Sequence, residues 1–169
     1  MMDKGVLTRR ALVSALAALA AAPGIAAAAA PLSATRFREI QVDVAPLRAN
    51  GSGDLVDWIA AELPALLAKA FAEHMAPGDR SAPILRARVD FVTLGPPGSF
   101  GGLPLVGDTT DYIEGAGVVV GAGGREIASY PLMASLHASS KVVTGMELRL
   151  RVSQLAQSFA YWLPRQMGL

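Results

Sequence analysis

The stretch DYIEGAGVVVGAGGREIASYPLMASLH, residues 111–137, decides how this chain folds. Two runs of strand-forming residues flank Gly121-Ala122-Gly123-Gly124, and a glycine cluster at that place reverses the chain. The spacing predicts a third strand over 111–121 and a fourth over 125–137, paired as a hairpin. Pro131 lacks the backbone donor that a sheet ladder uses, so the fourth strand is expected to be bulged or to lie at an edge. Both faces of the hairpin read as apolar, with Ile113, Val119, Ile127 and Met133 on one and Val118, Val120, Leu132 and Leu136 on the other.

Upstream, residues 84–94 alternate, with Leu85, Ala87, Val89 and Phe91 facing one way and Arg86, Arg88 and Asp90 the other. Residues 36–44 repeat the pattern, placing Ile40, Val42 and Val44 opposite Glu39, Gln41 and Asp43, and Pro46 then breaks the run. Between these strands Leu55, Trp58, Ile59, Leu63, Leu66, Leu67, Ala70 and Phe71 recur at steps of three and four. That is the apolar stripe of a helix over 54–75, with a kink or split expected at Pro64. Downstream, Thr144-Gly145-Met146-Glu147 has the spacing of a capping box. Leu148, Val152, Leu155, Phe159 and Trp162 follow as the apolar face of a closing helix that Pro164 and Gly168 terminate. The order is β-α-β-β-β-α, an α+β fold in which a largely antiparallel four-stranded sheet carries two helices on one face.

This order of elements resembles that of several small envelope proteins, among them lipopolysaccharide-assembly lipoproteins and auxiliary lipoproteins of lipid-transport systems. The resemblance is one of topology and carries no shared motif. Those proteins are tethered through a lipidated cysteine, whereas this chain contains no cysteine at all.

The amino-terminal residues read as an export signal. Lys4, Arg9 and Arg10 precede a weakly apolar run over 11–22, and Pro23-Gly24 leads into a tract of small residues. Thr8-Arg9-Arg10-Ala11-Leu12-Val13 resembles the twin-arginine signal, although Ser14 stands where lysine is frequent. Signal peptidase requires small residues one and three positions before its cut and tolerates no proline just after it. Cleavage is therefore expected after Ala29, leaving residues 30–169 as a single domain in the periplasm with no stable membrane span. Peripheral membrane association is compatible with this reading.

The chain has 15 basic and 14 acidic residues; removing Lys4, Arg9, Arg10 and Asp3 with the leader leaves 12 and 13. Near-neutral charge, with cations scattered among carboxylates, argues against nucleic acid as a partner.

Little in the mature sequence points to catalysis. His74 and His137 are the only histidines and have no metal-ligand spacing, so no metal is expected. Ser139-Ser140-Lys141 has the wrong spacing for a serine-lysine pair and reads as a loop. The glycines of 115–124 lack both the third glycine of a dinucleotide loop and a helix to follow it, and no cofactor is expected. Asp108-Thr109-Thr110-Asp111 offers too few oxygens for calcium and reads as a turn.

What remains is surface. Two helices cover only one face of a sheet that is apolar on both, and the Pro/Gly-rich segment 95–110 shows too little periodicity for a regular element. Phe100, Leu103 and Leu105 of that segment, with Tyr112, are the expected binding residues. The expected partner is an envelope protein, an apolar ligand or, as a homodimer, a second copy. The alternative reading is a periplasmic enzyme or cofactor carrier exported already folded.

Overall fold

The computed structural model describes residues 32, 34–51, 53–95, 99–100, 103–104, 108–139 and 145–169. The export signal, with Arg9, Arg10 and the cleavage position Ala29, lies outside them, as does Leu105. The elements run β1 (Glu39–Asp43), α1 (Ala45–Ala49), α2 (Asp54–Ala70), β2 (Ile84–Thr93), β3 (Ser99–Phe100), β4 (Leu103–Pro104), β5 (Asp108–Val120), β6 (Glu126–Ser139) and α3 (Gly145–Gln166). Four strands form one sheet in the order β1-β2-β5-β6, with β1 parallel to β2 and the other pairs antiparallel. The fold is the α+β arrangement expected from the sequence.

Several local expectations are corrected. Pro46 does not simply break the chain but sits in the first turn of the short helix α1, where a missing backbone donor costs nothing. α2 runs unbroken through Pro64, which stands on the exposed side where water can serve the carbonyl it leaves without a donor. The helix ends at Ala70, short of residue 75, and a 3-10 turn over Ala72–His74 follows. That turn is held from upstream: Phe37 donates its amide to the His74 carbonyl, and its ring packs edge-on against Phe71 at 6.0 Å. Residues 108–111 are not a turn but the start of β5, opposite the last residues of β6. The segment 95–110 also contains some regular structure, since β3 and β4 pair as a two-stranded ribbon of their own.

The register of the sheet decides which side chains are covered. Val89 pairs with Gly115 and Phe91 with Glu114, so Asp90 is an extra residue, a bulge. One inserted residue reverses the side-chain alternation, and Val92 takes the buried place predicted for Phe91 while Phe91 is left 50% exposed on the other face. Gly115 is required here: a β-carbon on it would lie 2.0 Å from the Arg88 carbonyl oxygen. In the hairpin, Ile113 pairs with Ala134 and Val119 with Ala128. Leu132 and Leu136 therefore join Ile113 and Val119 beneath the helices, and Met133 turns to the opposite face, which reverses the predicted grouping. The hairpin itself is confirmed, with Gly123 and Gly124 at φ of 76° and 80° in its turn. β6 is the edge strand that Pro131 foretold, and its extra residue is Ile127.

One core lies between the sheet and the helices. α2 contributes Val56, Ile59, Leu63 and Leu67, α3 contributes Val152, Leu155, Phe159 and Leu163, and Met167 follows just beyond its end. Trp162 is not part of it. The buried line along α3 steps from Phe159 to Leu163 and on to Met167, and Trp162 falls beside that line at 49% exposure. α3 also continues through Pro164 and stops at Gly168, whose φ of 76° permits the reversal. There Leu169 donates its amide to the Pro164 carbonyl and Gly168 to that of Arg165, the paired bonds of a Schellman ending. Thr144 of the predicted capping box lies outside the described residues.

Candidate binding surface

The buried side chains of all three helices belong to the core on one side of the sheet. The opposite face has a separate small cluster, Ala116, Val118 and Val120 of β5 with Ile84 of β2 beside it, to which no described helix contributes. Each has a paired neighbour on either side within the sheet. The pairing sets Arg86 and Ser129 on either side of Val118, and Arg88 and Pro131 on either side of Ala116. Arg88 is held upright by a two-pronged bond to Asp90, from Nε at 2.7 Å and Nη2 at 3.1 Å. That contact raises the guanidinium pKa above its ordinary value against the opposing effect of burial.

Around this cluster stand apolar side chains that nothing described covers. Phe91, Glu114 and Met133 form one row across β2, β5 and β6, with Phe91 and Met133 at 50% and 62% exposure. Ile127, at the other end of β6, is 55% exposed. Tyr112 lies one row further along between Thr93 and Ser135 and is half-buried. Among the described strands β6 pairs only with β5, and on β6 the Pro131 carbonyl accepts from Gln166 Nε2 at 3.0 Å.

Of the residues expected to bind, the structure places Tyr112 on this sheet face and the backbones of Phe100 and Leu103 opposite one another in the separate ribbon. Leu105 is outside the described residues. Phe91 was missed because a bulge has no signature in alternation.

A buried ion pair anchors the base of the segment that carries the ribbon. Asp111, at the β5 end of that segment, and Arg151 of α3 are both buried. Arg151 Nε donates to Asp111 Oδ2 at 2.8 Å, and its Nη2 donates both to Oδ1 and to the Gly95 carbonyl, the latter at 2.9 Å. The Gly95 amide completes the network by donating to Asp111 Oδ1 at 3.0 Å. Residues 95 and 111, the two ends of the Pro/Gly-rich segment, are thereby fastened to α3 at one point. Hydrogen bonding to Asp111 raises the Arg151 pKa despite desolvation, so the guanidinium remains charged. A signal for this pair exists in the sequence: Arg151 lies on the apolar stripe between Leu148 and Leu155, and Asp111 lies in phase with Ile113.

The two histidines line different clefts. His74 lies with Ala34, Thr35, Arg36 and Glu73, and His137 with Leu136, Gln154, Gln157, Ser158 and Tyr161. Among the described residues no group of three His, Asp or Glu side chains gathers as metal ligands would, and no helix is long and apolar enough to cross a membrane. Ser140 and Lys141 lie outside the described residues.

No family model matches the chain, and no curated protein matches it. Solved structures similar to it include two lipoproteins. One is a protein assigned as a lipoprotein from Caulobacter crescentus CB15, 14% identical, with a TM-score of 0.47 over 65% of this chain and 80% of the other. The second is a minor lipoprotein from Acinetobacter baumannii, 15% identical, with a TM-score of 0.41 over 78% of this chain and 93% of the other.

Proposed function

We propose that this is an exported envelope protein without catalytic activity, which binds a partner protein through the sheet face opposite its helices, with the segment 95–110 alongside. The observation that carries the reading is the row of half-exposed apolar side chains, Phe91 and Met133, on a face to which no described helix contributes. An apolar sheet face beside a strand edge that no described strand pairs suits an extended protein partner better than an enclosed small molecule, because main-chain bonds along β6 can add to side-chain contacts. Export rests on the sequence: Arg9 and Arg10 before the weakly apolar run, with cleavage after Ala29. The clamp at Gly95, Asp111 and Arg151 supports a role for the segment between them, since it fixes where that segment leaves and rejoins the domain.

Photo-crosslinking residues installed at Phe91 and Met133 in intact cells test the proposal. One discrete protein adduct from both positions, lost when the other position carries serine, is the expected result. Adducts no different from those of an exposed control position on α2, such as Ala65, would overturn it.

A further inference from the structure

α3 carries a second exposed feature, on the outside of the helical layer and far in sequence from the sheet face. Tyr161 and Trp162 are adjacent, each about half exposed, and meet edge-on at 5.2 Å. Arg165 lies one turn on, its guanidinium 3.6 Å over the Tyr161 ring and 5.9 Å from the Trp162 ring, with Nη1 bonded to the Tyr161 carbonyl. Beside Tyr161 opens a shallow groove of about 310 Å³ between α2 and α3, lined by Leu66, Lys69, Ala70, Gln157, Ala160 and Tyr161. Among the described residues no carboxylate lies within ion-pair distance of Lys69 or Arg165, as is also true of Arg36, Arg38, Arg80, Arg86 and Arg125; what sets these two cations apart is the pair of exposed rings beside them.

We infer that Lys69, Tyr161, Trp162 and Arg165 form a patch that docks on the surface of an anionic phospholipid bilayer. Indole and phenol rings are apolar bodies with a polar edge, and the boundary between headgroups and acyl chains accepts both parts at once. Unpaired cations next to such rings match a negative surface, and each contributes about fivefold in partitioning at modest ionic strength. Arg165 is already held over the Tyr161 ring, so docking orders few further torsions. The position in the fold agrees. The Leu32 amide is bonded to the Met167 carbonyl at 3.0 Å, so the segment that reads as an apolar leader joins the domain at the same end of α3 as the patch.

The test is flotation with vesicles of phosphatidylethanolamine and phosphatidylglycerol, in parallel with pure phosphatidylcholine. The protein is used as purified from expressing cells, with the same amino terminus verified by mass in every variant. The expected result is binding to the anionic vesicles that falls with added salt, drops about 25-fold in Lys69→Gln/Arg165→Gln, and drops at least tenfold in Trp162→Ser. Equal binding to neutral vesicles, unchanged binding in the charge variant, or a dimer in solution that Trp162→Ser dissociates would overturn the inference, the last by making a second copy the occupant. The charge variant alters only exposed side chains, so it remains decisive even if Trp162→Ser folds poorly. Phe91→Ser/Met133→Ser should float like the parent protein, which separates this result from the fate of the sheet-face proposal.

Discussion

The two faces of the sheet are made by the same strands and differ in what stands above them. Val119 and Val118 are neighbours on β5, both almost wholly buried, yet Val119 belongs to the core shared with the helices while Val118 belongs to the separate cluster, paired across the sheet with Arg86 and Ser129. Loss of solvent exposure is thus reached in two ways. Under the helices it comes from a second layer packed at near-crystalline density; on the other face it is reached without a contribution from any described helix. The first arrangement stabilises the fold, and the second leaves a surface that another molecule can still approach.

The largest effect expected is at the clamp that joins the covered face to the segment 95–110. Arg151→Met leaves the Asp111 carboxylate buried without its cation, and unfolding in urea should show a loss of about 3 to 5 kcal/mol. Pairing it with Asp111→Leu removes the stranded charge and should restore much of that loss. If the double variant were no better than the single one, the bond from the Gly95 amide to Asp111, which Arg151→Met keeps and the double variant loses, would be worth as much as the relief of the stranded charge.

Next in size is the bulge that sends Phe91 to the open face. Gly115→Ala drives a methyl group into the Arg88 carbonyl, which is backbone and cannot swing aside, so a loss of about 3 kcal/mol or more is expected in the same measurement. Gly117→Ala provides the control: its β-carbon would meet only Leu163 Cδ1 at 3.0 Å and Met167 Sδ at 3.1 Å, ends of side chains that can shift, and about 1 kcal/mol is expected. The comparison between the valines is smaller but more direct. Val119→Ala should cost about 2 kcal/mol, because a cavity remains under the helices, and Val118→Ala about 1 kcal/mol, because water can fill the space left above it. Equal losses would mean that the second face is packed as tightly as the first.

The element order, the hairpin, the edge position of β6 and the α2 stripe were legible because each rests on a period or a turn that local chemistry dictates. Register was not legible. Alternation says that Met133 and Leu132 point opposite ways, but only the pairing of Ile113 with Ala134 says which of them lies under the helices. The bulge at Asp90 inverted Phe91 for the same reason. Trp162 was placed on the apolar face by its three-residue step from Phe159, whereas the buried line takes the four-residue step to Leu163 and on to Met167. α1 was hidden because Pro46 reads as a breaker until the residue is seen to start a helix. Of the residues expected to bind, Tyr112 lies on the sheet face opposite the helices, whereas Phe91 comes to that face only through a backbone irregularity that tertiary pairing creates.

The smallest expected effect bears most closely on function. Phe91→Ser and Met133→Ser remove large apolar side chains from positions already 50% and 62% exposed, so each should change the unfolding free energy by no more than about 0.5 kcal/mol. Thermal melting of the purified protein checks this, and near-zero shifts would mean that the row of Phe91 and Met133 contributes nothing to the isolated fold. An apolar row that the fold does not need, beside a strand edge that no described strand occupies, is better explained by recognition than by stability. A loss of 2 kcal/mol or more in either variant would reverse that conclusion, because it would mean that part of the same chain already covers these side chains and the second face is core.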